Sequence, residues 1–202
     1  ALATGRYTWW SEIEDKRLRF NVGGQIWQPE NYDKQTHGVV HLYEALAKSY
    51  NLATVSLAQQ IGFDRVGDTL RQLGVKRPFT MHPSVSLGAL ELSKLEVSRL
   101  YQPIESQGSS SELGVVLSVM DQDDRLLKRF NQRRDVPLTD ALLAVTLDGM
   151  TKTSQIGTAR AAQAALPHFH FEAKTGHTNQ QNGRRYVGLT GTHPSPIWPA
   201  RD

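Results

Sequence analysis

Apolar positions recur at helical spacing through the middle of the chain. Between 39 and 48, Leu42, Ala45 and Leu46 share one face, which predicts a helix there. Asn51 then stands where a cap belongs, before a second helix over 52–61 that Gly62 ends. Asp64 opens a third, with Val66, Leu70 and Leu73 on one side and Gly74 as its stop. Ser93-Lys94-Leu95-Glu96 is a capping box, so a helix is expected over 94–102, closing before Pro103. Thr139-Asp140 starts another that runs to about Met150, and 158–165 reads as a short helix halted by Pro167.

Elsewhere the period shortens. The stretches 113–120 and 125–130 flank Asp121-Gln122-Asp123-Asp124, a strand-turn-strand pattern. Phe169, Phe171 and Ala173 alternate with polar residues, which predicts a strand leading into Lys174-Thr175-Gly176. A second strand is expected over 186–190. A third would begin at Ile197-Trp198, although Pro194, Pro196 and Pro199 weaken it. Val22 to Pro29 reads as irregular coil with a short strand. Helices in the middle followed by antiparallel strands indicate an α+β domain rather than a parallel α/β one. The expected division is a mainly helical part over 36–166 and terminal sheet strands over 167–202, both within one partial domain over 1–202.

Composition narrows the function classes. The 202 residues suit one domain or most of a larger one, and 39% hydrophobic with 21% charged residues is a globular mix. No stretch reaches the roughly 20 apolar residues of a membrane span, and Ala1 to Arg6 has neither the basic lead nor the apolar core of a signal peptide. The net charge is +3, with the positives scattered in pairs such as Lys16-Arg17, Arg133-Arg134 and Arg184-Arg185. A nucleic-acid partner calls for a basic stripe and is not expected. There is no cysteine, which excludes disulfides, thiolate zinc sites and a cysteine nucleophile.

Two triplets carry the candidate chemistry. Ser49-Tyr50-Asn51 falls between two helices, and Lys174-Thr175-Gly176 falls at a strand end before another strand. Taken singly, each is common by chance. Ser49 also suits a helix cap, Asn51 a helix start, and Lys174 a solvated strand end. Together, in this order and setting, they match two of the three elements of the signature of β-lactamases and penicillin-binding proteins. Other groups are weaker. His168 and His170 share a strand face but no third metal ligand accompanies them. Asp121, Asp123 and Asp124 lack the glycine and terminal glutamate of a calcium loop and read as a solvated turn. Trp9, Trp10 and Trp27 suit either a sugar platform or packing, and packing is the expectation.

More than the triplets points the same way. Gly24-Gln25-Ile26-Trp27-Gln28-Pro29-Glu30-Asn31-Tyr32-Asp33 is similar to a Gly-Gln-x-Trp-x-Pro-x-Asn-Tyr-Asp segment. Ala45 to Thr54 is similar to an Ala-Leu-x-x-Ser-x-Asn-x-x-Thr run. Leu87-Gly88-Ala89 with Glu96-Val97, and Gly157-Thr158-Ala159-Arg160, match two further stretches. These segments resemble the transpeptidase domain of class A penicillin-binding proteins, and among them the 1B type.

The resemblance implies the α+β serine transpeptidase (β-lactamase-like) fold, present incompletely, with helices flanking a five-stranded antiparallel sheet. It implies cross-linking of peptidoglycan stem peptides through an acyl-serine, binding of β-lactam antibiotics, and no metal or organic cofactor. It also implies a place at the periplasmic face of the bacterial cytoplasmic membrane, with a membrane anchor and a glycosyltransferase domain upstream. By the same resemblance, Ser49 relays a proton to the leaving amine and Asn51 offers its amide to a substrate carbonyl. Lys174 supplies positive potential, and Gly176 leaves room for the substrate backbone. The N–H of His177 serves as an oxyanion donor, and Thr175 and Thr178 bind a carboxylate.

Several departures accompany the match. No serine in the 202 residues is followed by lysine three positions on. In the family that motif lies upstream of the Gly-Gln-x-Trp segment, so this polypeptide alone is not expected to acylate. His177 stands where Thr or Ser is usual, Ala173 where Gly is usual, Arg185 where Trp is usual, and Pro199 falls in the last strand. Two rival readings remain. One is a serine β-lactamase or DD-carboxypeptidase, against which the Gly-Gln-x-Trp-x-Pro segment speaks. The other is a non-catalytic remnant or binding module of the same fold.

Overall fold

The computed structural model describes residues 1–106, 108–111, 116, 118–130, 133–136, 138–168, 170, 172–177, 184–189 and 194–197. In chain order the elements are β1 (Glu12–Asp15), β2 (Phe20–Val22), β3 (Gln25–Trp27), β4 (Gly38–His41), α1 (Leu42–Ala47), α2 (Asn51–Ile61), α3 (Phe63–Gln72) and α4 (Lys94–Glu105). They continue with β5 (Ser109–Ser111), β6 (Ser118–Met120), β7 (Leu126–Arg129), β8 (Arg133–Asp135), α5 (Asp140–Gln155), α6 (Arg160–Ala165), β9 (Glu172–His177), β10 (Arg184–Leu189) and β11 (Pro194–Ile197). Helices and antiparallel strands are segregated as an α+β domain requires.

The helical body forms around two short helices of small and aliphatic residues. Leu42 and Ala45 of α1 and Ala53 of α2 pack with Ile13 and Val40 of the antiparallel pair β1–β4. Trp9 lies against this cluster, and its indole N–H donates to the Val145 carbonyl of α5 at 2.9 Å. Gly149 makes that approach possible: a Cβ there would stand 2.2 Å from the Trp9 ring. The rows of α5 and α4 in turn cover one face of the sheet, where Met150 meets Val187 and Leu189.

The sheet has the order β11-β10-β9, antiparallel throughout. Its register pairs Lys174 with Val187, Thr175 with Tyr186 and Ala173 with Gly188. Among the described strands β9 lies at one edge, so the Lys174-Thr175-Gly176 run has one open side. β11 takes the other edge. Pro194 and Pro196 are tolerated there because an edge strand needs ladder donors on one side only.

Several expectations are corrected. Residues 39–41, read with the first helix, belong to strand β4, and α1 starts at Leu42. Helix α4 does not stop before Pro103 but includes it and ends at Glu105. The proline sits in the last turn, where its missing N–H costs one bond, and its ring is buried. Helix α5 runs five residues past Met150. Its last turn of threonine and serine is a poor helix former, and the burial of Thr153 and Ser154 supports it. Asn51 is not a cap but the first helical residue, after Tyr50. The tryptophans form no shared platform: Trp9 is packed against α5, Trp10 is exposed beside His41 and Tyr43, and Trp27 contacts Phe20 and His82. The predicted hairpin appears as β6–β7, with Asp121 Oδ1 accepting from the backbone of Asp123 and Arg125, a turn closed by its own side chain. The strand positions Phe169, Phe171, Thr190 and Trp198, the departure Pro199, and residues 113–115 and 117 of the predicted strand lie outside the described residues.

Candidate active site

Helix α1 ends in a Schellman turn. The Tyr50 N–H reaches back to the Ala45 carbonyl at 2.9 Å and the Ser49 N–H to the Leu46 carbonyl at 3.2 Å. This closure puts Ser49 in the left-handed region, with φ +58°. Glycine usually occupies that position, because a Cβ there crowds the following carbonyl. The chain thus accepts local strain to hold a hydroxyl at the corner between two helices.

Helix α2 begins two residues later, at Asn51, without a local cap, since the Tyr50 side chain makes no capping bond. Its free N–H groups are met from a distance. The Leu52 N–H donates to Asn31 Oδ1 at 3.1 Å and the Ala53 N–H to Asp15 Oδ1 at 2.9 Å. Asp15 is fully buried at the end of β1, and its second oxygen takes three more donors: Asn31 Nδ2 at 2.7 Å, the His37 N–H at 2.8 Å and His37 Nδ1 at 2.8 Å. A buried carboxylate is stable only when so satisfied, and the positive end of a helix suits it. The His37 ring also stacks on Tyr50 at 4.0 Å, and Asn51 Nδ2 donates to the Glu30 carbonyl at 2.8 Å. The Ser49-Tyr50-Asn51 corner is therefore gripped by the 30–37 segment as well as by its own helices.

Lys174 arrives from β9. Its ammonium donates to Ser49 Oγ at 2.7 Å and to the Thr175 carbonyl at 2.7 Å. Burial, which disfavours the charged form, pulls its pKa from 10.5 down to about 8. At neutral pH the side chain remains mostly an ammonium, with only a short step to the free amine. Beside it, the Thr175 hydroxyl meets the Thr158 hydroxyl at 2.5 Å, and the Thr158 N–H donates to the Ala47 carbonyl at 3.1 Å. Gly157 is required for that contact, because a Cβ there would lie 2.0 Å from the Ala47 oxygen.

The structure therefore brings Ser49 and Lys174 together, with Thr175 next on the strand and Asn51 at the start of α2. Gly176 and the backbone of His177 continue along β9, paired with Arg185 and Arg184, while Thr178 lies outside the described residues. Ala173 is fully buried and packs with Ala159, so the methyl that departs from the family pattern is spent in the core. The sequence reading left out Asp15, Asn31, His37 and Thr158 as site-building residues. Asn31 and Thr158 did stand inside the matched segments; Asp15 had no local signal. Among the described residues no group of three or more His, Cys, Asp or Glu side chains is arranged to hold a metal ion.

Comparison with known proteins agrees with this geometry. A Ser-x-Asn corner joined to a Lys-Thr-Gly strand on an α+β scaffold is shared with serine acyl-transfer domains of the penicillin-recognising class. The profile of the penicillin binding protein transpeptidase domain matches residues 11–193, and the chain belongs to that family. Penicillin-binding protein 1B of Vibrio cholerae serotype O1 is 34% identical over 199 residues, 98% of this chain and 26% of that protein. Penicillin-binding protein 1B of Escherichia coli (strain K12) is 36% identical over 185 residues, 89% of this chain and 22% of that protein. The chain thus spans about a quarter of the length of these relatives. Among solved structures, penicillin-binding protein 1A from Haemophilus influenzae superposes with a TM-score of 0.80 at 19% identity, over 90% of this chain and 33% of that one. An imipenem acyl-enzyme complex of penicillin-binding protein A from M. tuberculosis gives 0.77 at 17% identity, over 99% of this chain and 53% of that one. Both share the fold.

Proposed function

We propose that this chain is the part of a bifunctional peptidoglycan synthase that completes the D-Ala-D-Ala transpeptidase site, acting at the periplasmic face of the bacterial cytoplasmic membrane. The observation that carries the reading is the 2.7 Å bond from Lys174 Nζ to Ser49 Oγ. In this reading the mainly helical part, 36–166, and the terminal strands, 167–202, form two walls of one cleft. The attacking serine and its lysine come from a part of the protein outside these 202 residues. The serine gives its proton to its lysine as its oxygen bonds to the D-Ala carbonyl carbon, the bond to the terminal D-Ala nitrogen breaks, and the departing amine takes that proton through the Ser49 hydroxyl. The Lys174 ammonium favours the charge that develops nearby. Asn51 and the Thr175, Gly176, His177, Thr178 edge hold the stem peptide, and a second stem peptide then takes the acyl group. β-Lactams acylate the same serine in place of the peptide.

The test is labelling of the full-length protein with a fluorescent penicillin, alongside the isolated 202-residue chain. Covalent label on the full-length protein and none on the isolated chain is the expected result. A folded full-length protein that takes no label would overturn the reading in favour of a non-catalytic member of the fold, a role His177 in place of a hydroxyl residue would suit.

A further inference from the structure

Thr158 is exposed on the segment between α5 and α6, yet it is tied at both ends. Its N–H is held by the Ala47 carbonyl at 3.1 Å, two residues before Ser49, and its hydroxyl lies 2.5 Å from that of Thr175. Each hydroxyl owns a single proton. In a pair this close one proton is shared between the two oxygens, so the other is turned outward. Among the described residues neither hydroxyl has a further partner to take it. The Lys174 ammonium is held to the backbone carbonyl of the same Thr175 at 2.7 Å. An outward O–H, polarised by the bond behind it, is a donor for an anionic oxygen.

We infer that Thr158 is a specificity-determining residue, its hydroxyl and that of Thr175 forming one donor unit for the terminal carboxylate of a ligand. The inference rests on the transpeptidase reading above and adds to it a residue and the ligand group it selects. Without Thr158, the Thr175 hydroxyl rotates freely and loses the partner that sets its direction. Gly157 belongs to the same device, because only a residue without a side chain brings the 157–158 backbone against Ala47.

The experiment compares acylation of the full-length protein by penicillin G and by its methyl ester, which lacks the carboxylate charge. The variants are Thr158→Val, which keeps the shape and the N–H, and Thr158→Ser, which keeps the hydroxyl. Thr158→Val is expected to reduce the preference for acid over ester by about 3- to 10-fold, the worth of one hydrogen bond. Thr158→Ser is expected to restore most of it. Equal preference in wild type and Thr158→Val, with both labelled, overturns the inference and leaves the transpeptidase reading standing. A loss shared equally by acid and ester, or not restored by serine, assigns Thr158 a structural role only and also overturns it. No label on the wild-type protein overturns the reading and the inference together.

Discussion

Lys174 donates to Ser49 Oγ over 2.7 Å although 125 positions separate the two along the chain. Burial of this ammonium has a thermodynamic signature. Its pKa is about 8 in the folded chain against 10.5 when free. Below pH 8 both states carry the proton, and the folded state bears the full cost of the buried charge. Between about pH 8 and 10.5 the folded state gives up its proton first, so unfolding takes protons up and stability rises with pH. Burial also raises the Tyr101 pKa above its ordinary value, a separate contribution on the alkaline side. The check is therefore the difference between the melting curves of wild type and Lys174→Met across pH 7 to 11. That difference is expected to narrow in favour of wild type as pH rises through the window named above. A difference independent of pH would contradict the buried ammonium.

The Ser49 backbone separates fold from chemistry. Because φ is +58°, a glycine fits this turn better than any residue with a Cβ. Ser49→Gly should therefore be more stable than Ser49→Ala by about 1 kcal/mol, read from denaturant unfolding. Both variants remove the hydroxyl, so in the full-length protein both should slow penicillin acylation by about 100-fold or more. Stability and activity changing in opposite directions in Ser49→Gly would show that the strain is retained for the hydroxyl.

How much of this was legible from the chain differs residue by residue. The two triplets and their neighbours point to the family and to Ser49 and Lys174 as residues of one site. Local rules failed where distant groups decide. Asn51 looked like a cap because α2 needs one, but the cap comes from Asp15 and Asn31, 38 and 21 positions away from the N–H groups they serve. Pro103 looked like a stop because local rules cannot see that its ring is buried in a final turn. Ser49 suits the N-cap of the next helix, yet it closes the preceding one, since a Schellman corner with serine in place of glycine leaves no compositional mark.

Asp15 should be the most sensitive polar residue of the body. Its carboxylate satisfies two backbone N–H groups, of Ala53 and His37, and two side chains, of Asn31 and His37. Asp15→Ala leaves those donors buried and unmet, at a cost of about 3 kcal/mol or more. Asp15→Asn keeps an oxygen for Ala53 but presents an NH₂ toward donors, so an intermediate loss is expected. Urea titration checks both. Near-wild-type stability of Asp15→Ala would mean that water replaces the carboxylate and that α2 does not depend on it.

Gly157 links packing to the site most directly. An alanine Cβ there would fall 2.0 Å from the Ala47 oxygen, 2.6 Å from its carbon and 3.0 Å from the Thr153 Cα, all backbone atoms that no rotamer change can move aside. The 157–158 segment must then retreat from α1. The retreat breaks the bond from the Thr158 N–H to Ala47 and draws the Thr158 hydroxyl away from Thr175. Gly157→Ala is expected to destabilise the fold by about 2 kcal/mol or more. Gly149→Ala serves as the comparison, since its Cβ meets the Trp9 ring at 2.2 Å, a side chain that packs with the β1–β4 and α1 cluster. Amide shifts measured by NMR should separate the two. Gly157→Ala should move Ser49, Tyr50 and Thr175 together, whereas Gly149→Ala should move Trp9 and Val145 first. A Gly157→Ala variant with unmoved Thr175 would show that strand β9 holds its threonine without help from the segment beside it.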